Sequence, residues 1–231
     1  MDVARVPSAE HATRVLLVRH GESVANTRPH IIGGRSNHSP LTSTGQQQAT
    51  RLGRGLAACG YQPEVVYSSP AVRTVQTAES AMAAMGFQAR VQLDDRLQEL
   101  DQGQWTGRLR ENAYTPESAL LIAAHGVDFA APGGESMRAV GLRMLQWLKS
   151  VEDEHPNVQV LVFAHGMATR CLAGLIGQWN QDRIRHTDTP NTSLTRFTIT
   201  GGQPVIDFLG QPIEAVTELL SDQPGSRVDL R

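Results

Sequence analysis

The chain has 231 residues, a formal net charge of −2, 40% hydrophobic and 19% charged residues. That is enough for one ordinary domain with its own core, and it leaves no global basic field of the kind that binds nucleic acid or an anionic membrane. No apolar run approaches the roughly 20 residues that span a bilayer, and residues 1–13 lack the continuous apolar stretch of a secretion signal, so a cytoplasmic protein is expected.

Short apolar runs alternate with longer amphipathic stretches, the pattern of an α/β layered fold. Residues 14–19 read as a buried strand. Residues 41–58 read as a helix, with Thr42 or Ser43 as N-cap and Gly60 just past the end. Residues 63–68 form a second strand. Ser69 is expected to cap the next helix, with Pro70 at its first position and Gly86 as its stop. Residues 89–93 make a third strand, 135–154 a long helix, 158–164 a fourth strand and 167–176 another helix. Residues 193–200 and 204–209 read as a closing pair joined by Gly201-Gly202. The expectation is a three-layer α/β/α sandwich around a mostly parallel central sheet. It forms a single domain over residues 13–220, with tails at 1–12 and 221–231.

Several chemistries fall away on residue counts. Lys149 is the single lysine of the chain, and no GxxxxGK[ST] run surrounds it, which excludes a phosphate-loop nucleotide site. Cys59 and Cys171 stand apart without CxxC or CxxH spacing, so neither a disulfide framework nor a zinc knuckle is expected. Both read as small apolar fillers of helix faces. Asn191-Thr192-Ser193 matches a glycosylation sequon, which without a secretion signal reads as a chance match.

The informative feature is a repeated one. Leu16-Leu17-Val18-Arg19-His20-Gly21 and Leu161-Val162-Phe163-Ala164-His165-Gly166 are both apolar strands that end in His-Gly. Ligands of parallel α/β sheets bind beyond the carboxyl ends of the strands, so two histidines released there can converge on one ligand. Arg19, Arg28 and Arg35 face only Glu22 within residues 19–38, and Arg73 falls in the first turns of the helix after the second strand. Arginine forks suit phosphate oxygens, so the local charge points to a small phosphorylated anion.

Arg19-His20-Gly21-Glu22-Ser23, followed by Asn26, resembles the signature of the histidine phosphatase superfamily, the phosphoglycerate-mutase-like fold. Ser68-Ser69-Pro70-Ala71-Val72-Arg73 resembles its second arginine segment, Leu97-Gln98-Glu99-Leu100-Asp101 its acidic segment, and Phe163-Ala164-His165-Gly166 its second histidine segment. Gly133-Gly134-Glu135-Ser136 and Leu41-Thr42-Ser43-Thr44-Gly45 are weaker matches. Together they span roughly residues 14–200.

The resemblance implies His20 as a nucleophile that carries the phosphoryl group. Arg19, Arg73 and His165 are then the positive groups around its oxygens, and Asn26 is a further donor. Glu99 is the acid that protonates the leaving alkoxide and the base that then activates water, with Asp101 as the competing acid. The loop 27–39, with Gly33, Gly34 and Arg35, is the expected substrate-binding segment. Residues 108–132 should fold over the pocket mouth, with Leu120-Leu121-Ile122-Ala123-Ala124 as an apolar face. Tyr114, His125 and Phe129 there pack the core or touch the leaving group. Thr106 departs from the acidic residue common at that place in the family and is expected to be peripheral; the polar turn that the family carries before a strand implies that Asn191-Thr192-Ser193 shapes the rim near His165.

The arginines and His165 supply positive charge, and no HExxH or His-x-His spacing occurs, so neither metal nor other cofactor is expected. The expected partner is a small-molecule phosphate monoester, not nucleic acid or membrane; an exposed edge strand is compatible with a homodimer. The leading function is a metal-independent phosphomonoesterase. Two alternatives stand beside it: a cofactor-dependent phosphoglycerate mutase and a non-catalytic relative that binds a phosphorylated ligand. The mutase branch carries Tyr-Gly and Asn-Lys elements after its glutamate where this chain has Gly103-Gln104-Trp105-Thr106-Gly107-Arg108. The third reading must explain why Arg19, His20, Arg73, Glu99 and His165 are all present.

Overall fold

A computed structural model describes residues 12–221. Six strands form one sheet in the order β3-β2-β4-β1-β5-β6. They are β1 (Thr13–Arg19), β2 (Val65–Ser68), β3 (Val91–Leu93), β4 (Gln159–Ala164), β5 (Leu194–Thr200) and β6 (Gln203–Gln211). β3, β2, β4 and β1 run parallel, while β5 lies antiparallel to β1 and to β6. This is the α/β class expected, with helices on both faces.

The continuous apolar runs of β1 and β4 are explained by burial on two sides, since alternate side chains of a strand point to opposite faces. Val15, Leu17, Val160 and Val162 join one core cluster, whereas Leu16, Val18, Leu161 and Phe163 join the other. The first cluster packs under α5 (Met137–Glu154) and α6 (Gly166–Ile176). The second packs under α1 (Ser43–Ala58), α2 (Val72–Met85) and α8 (Ile213–Ser221). Each fully buried Leu or Phe contributes about 1.5–3 kcal/mol over an exposed one. α1 and α2 approach closely because Gly53 has no side chain: a Cβ there would run into the Ala81 carbonyl oxygen.

Local chemistry decides the boundaries. Thr42 is the N-cap of α1, accepting a bond from Gly45 N at 3.0 Å. Ser69 does not cap α2 as expected; the helix starts at Val72 after Ala71, because the Ser69 hydroxyl is turned to His165. Gly86 ends α2 in the left-handed region at φ 66°, a conformation glycine adopts without penalty. Ser136 caps α5, so that helix begins two residues later than Glu135. Gly201 and Gly202 at φ 59° and 76° close the β5–β6 hairpin, the double positive φ of a type I′ turn.

Three short helices and α8 were not foreseen: α3 (Arg110–Ala113), α4 (Pro116–His125) and α7 (Gln181–His186). α4 carries its own signal, with Thr115 as N-cap and Pro116 at N1. Its apolar run does not form a buried face: Leu120 and Leu121 are 73% and 52% exposed, and Ile122 alone of the run is buried. No helix among the described residues is long and apolar enough to cross a membrane. The tails expected at 1–12 and 221–231 lie outside the described residues except for Ala12, which is buried, and Ser221, which ends α8.

Candidate active site

The register of the sheet brings the two histidines together. β1 and β4 pair so that Arg19 lies opposite Ala164, and His20 N donates to the Ala164 carbonyl at 3.0 Å. The rings of His20 and His165 therefore stand side by side at the carboxyl edge, with centroids 5.3 Å apart. β2 delivers Ser69 to the same edge, where its N–H donates to the Phe163 carbonyl at 2.9 Å. One turn later α2 offers Arg73.

Hydrogen bonding fixes the tautomers. A carbonyl can only accept, so the 2.7 Å contact to the Gly21 oxygen places a proton on His20 Nδ1. Nε2 then carries the lone pair, and Arg73 Nε donates to it at 3.1 Å. By the same reasoning Arg73 Nη2 donates to His165 Nδ1 at 3.1 Å, which leaves His165 Nε2 to donate to Ser69 Oγ at 2.9 Å. Burial, and then the charges of Arg73 and Arg19, hold the His20 imidazole well below its ordinary range. His165 is held down likewise by burial, Arg73, His20, Arg143 and Arg19. Both rings are neutral near neutral pH. His165 is thus not the cation expected from the sequence. A fully buried ring between guanidinium groups stays uncharged, and it orients Arg73 instead.

Arg73 is buried among acceptors. Besides the two rings, its Nη1 donates to the Arg35 and Ser36 carbonyls at 3.1 and 2.9 Å, and Nη2 to Arg35 at 3.1 Å. Desolvation lowers its pKa, partly offset by Glu99. Arg19 Nη1 donates to the Thr189 carbonyl at 2.7 Å, while its buried Nε has no partner. Two desolvated guanidinium groups beside a neutral imidazole form a preorganised anion site.

The carboxylate of Glu99 meets the start of α6. Oε1 accepts from Ala168 N and from Leu100 N, both at 2.9 Å, and Oε2 from Met167 N at 3.2 Å. Helix N-termini hold carboxylates in this way. The segment bearing Glu99 is clamped from behind by Arg143, whose guanidinium donates to the Arg96 and Glu99 carbonyls at 2.7 and 3.1 Å. It also pairs with Glu135 at 2.9 Å. Sequence reasoning missed Arg143; the signal was a lone arginine on the otherwise apolar face of α5. Asp101, the competing acid, accepts from Gly103 N at 2.8 Å and lies 3.7 Å from Arg35, so it shapes a turn.

Arg19, His20, Asn26, Gly33, Gly34, Arg73 and Glu99 line one cleft of about 330 Å³. His165 stands behind it, against Arg73. Asn26 Oδ1 accepts from Ser23 N and Oγ at 3.0 and 3.1 Å, leaving the Nδ2 amide as the donor. Arg35 does not line the cleft. Its guanidinium turns to Glu135 at 3.2 Å and to Asp101, the nearer counter-charges, and only its carbonyl reaches the site. Arg28, Arg110 and Arg170 do line it. Arg170 was missed altogether, although it sits five residues past His165 on α6. The 191–193 turn adjoins His20 rather than His165, with Asn191 Nδ2 donating to the His20 carbonyl at 2.9 Å. Thr106 is exposed. Of the covering segment, Tyr114 and Phe129 pack beside Trp105, and His125 is exposed. Cys171 sits in the core and Cys59 is half-buried. No group of three or more metal-ligating side chains clusters among the described residues.

Comparison with known proteins gives the chain a family. The family model described as "Histidine phosphatase superfamily (branch 1)" matches residues 15–212. A 2,3-bisphosphoglycerate-dependent phosphoglycerate mutase of Azorhizobium caulinodans is 31% identical over 177 residues, 74% of this chain and 84% of that protein. A probable phosphoglycerate mutase of Salmonella paratyphi B is 33% identical over 189 residues, 80% of this chain and 84% of that protein. The structure of a mycobacterial glucosyl-3-phosphoglycerate phosphatase superposes with a TM-score of 0.75 at 22% identity, covering 87% of this chain and all of that one. With its matched residues reaching from β1 to the end of β6, the chain belongs to the histidine phosphatase superfamily, branch 1.

Proposed function

We propose that the chain is a metal-independent phosphomonoesterase acting on a small phosphorylated metabolite through a phosphohistidine at His20. The observation that carries this reading is the His20 tautomer. Nδ1–H is tied to Gly21, so the Nε2 lone pair is directed into an arginine-lined cleft that also holds Glu99. A neutral imidazole with its lone pair oriented is a competent nucleophile.

In the first step Nε2 bonds to phosphorus as the ester P–O bond breaks, and the leaving oxygen takes the proton that the monoester monoanion brings in, relayed through the Glu99 carboxylate. In the second, Glu99 takes a proton from water as that water displaces the phosphoryl group from Nε2, which returns inorganic phosphate and the free ring. Phosphoryl oxygens take over the donors of Arg73, now spent on His20 and the Arg35 and Ser36 carbonyls, together with the unpartnered Nε of Arg19. Asn26 adds its amide.

A second reading has a specific basis. The similarity to two proteins named as mutases, and the presence of Arg28, Arg110 and Arg170 in the cleft beyond the two arginines beside His20, favour return of the phosphoryl group to a second hydroxyl. The segment after Glu99, without the mutase elements, supports hydrolysis. Phosphate release from a panel of phosphomonoesters in EDTA separates the two. Release by the native chain and none by His20→Ala is expected. No release, with isomerisation of 3-phosphoglycerate once a bisphosphate primer is added, would overturn hydrolysis in favour of the mutase.

A further inference from the structure

We infer that the catalytic cleft continues into a second chamber that receives the leaving group, and that this chamber suits an apolar, flat body bearing a negative charge. The inference rests on the reading of the cleft as a phosphomonoester site. A cavity of about 300 Å³ shares Leu100, Gln102, Arg110 and Met167 with the cleft that holds His20 and Glu99. With the phosphoryl group against His20, the half of the ester that extends past these shared residues is the alcohol.

Three aromatic rings line the chamber. Trp105 meets Tyr114 edge-on with centroids 5.2 Å apart and Phe129 at 5.6 Å, and all three line it. Such a set offers apolar area and ring faces to a flat group. Two arginines line the cavity as well: Arg110, whose Nε donates to the Pro29 carbonyl at 2.7 Å, and Arg185. Arg185 Nε is buried without a hydrogen-bond partner, and its guanidinium pairs with no carboxylate among the described residues. Buried donors without partners are rare in native proteins and ask for an explanation. The backbone of Arg185 is fixed, because Arg170, which lines the catalytic cleft, donates to its carbonyl at 2.8 Å. The carboxylate in the wall, Glu135, is already held by Arg143 at 2.9 Å and by Arg35 at 3.2 Å. An anionic group on the ligand supplies the counter-charge that the Arg185 guanidinium lacks.

Isothermal calorimetry with phosphonates, non-hydrolysable analogues of the esters, tests this without turnover. The probes are ethylphosphonate, phenethylphosphonate and the para-carboxylate of phenethylphosphonate, titrated into the native chain, Arg185→Gln and Arg185→Lys. The carboxylated probe should bind about tenfold tighter than phenethylphosphonate, the lower end for a hydrogen bond to a charged group. Phenethylphosphonate should in turn bind tighter than ethylphosphonate. The carboxylate preference should fall to about one in Arg185→Gln and persist in Arg185→Lys. Each preference is a ratio within one protein, so loss of folded material cancels. Equal binding of the two aryl probes by the native chain, an undiminished preference in Arg185→Gln, or no measurable binding of the carboxylated probe overturns the inference. Since phosphonates are not hydrolysed, failure of the phosphate-release assay would remove the phosphatase reading while leaving these ratios as they stand.

Discussion

Burying two neutral histidines between arginines makes the stability of this fold depend on pH in a calculable way. The ordinary imidazole value is 6.5, and both His20 and His165 are held well below it in the folded chain. In the unfolded chain each ring takes up a proton as pH falls through 6.5, whereas in the folded chain it does not. The unfolded state thus binds more protons, and stability present above that pH is lost below it until the folded value is reached. Between about pH 7.5 and about pH 5.5, one such histidine costs about 1.4 kcal/mol, and two cost about 3 kcal/mol. The perturbation to make is His165→Gln, whose amide can accept from Arg73 and donate to Ser69 as the ring does. Urea denaturation at the two pH values gives the loss for each protein. Carboxylates and exposed histidines contribute alike to both, so the difference isolates position 165. The variant should lose about 1.4 kcal/mol less than the native chain on acidification. Equal losses would refute the buried, neutral state of His165.

Four further outcomes follow from particular contacts. Thr42→Ala removes the α1 cap and the 2.7 Å bond from Thr42 Oγ1 to Glu22, and should cost about 1 kcal/mol in urea denaturation; a loss within error would refute the cap. Gly53→Ala drives a methyl group into the Ala81 carbonyl and should cost about 1–3 kcal/mol by the same measurement. Arg143→Gln frees the backbone of Arg96 and Glu99 and leaves Glu135 underpaired. It should lower kcat at least about tenfold through misplacement of Glu99, with KM moving less; an unchanged kcat would refute the clamp. Arg35→Ala should leave the substrate profile unchanged, because its half-buried side chain faces Asp101 and Glu135 rather than the cleft, and should cost about 1 kcal/mol or less. A shifted profile would restore Arg35 to the binding site.

Much of the scaffold was legible because its signals are local. The apolar runs of β1 and β4, each ending in His-Gly, announce buried parallel strands, and their pairing then forces His20 and His165 together. The hairpin was readable from Gly201-Gly202. What was misread depends on tertiary partners. Ser69 looks like a helix cap in sequence, but its hydroxyl is taken by His165 from another strand. Arg35 looks like a phosphate ligand because of its neighbours in the chain, yet Asp101 and Glu135 arrive from far along it and claim the guanidinium. The charge of His165 follows from burial against Arg73, which no spacing rule encodes. α7 has six residues, too few for a periodic pattern, and α8 begins immediately after β6, so neither stood out.

The central claim is that His20 Nε2 carries the phosphoryl group. Rapid quenching of the native chain with a hydrolysable phosphomonoester, under conditions that preserve phosphoramidates, followed by peptide mass spectrometry, tests it directly. The account predicts one phosphoryl group on the peptide containing His20, labile to acid and absent from His20→Ala. Turnover with no phosphorylated peptide, or a phosphoryl group on another residue, would contradict it.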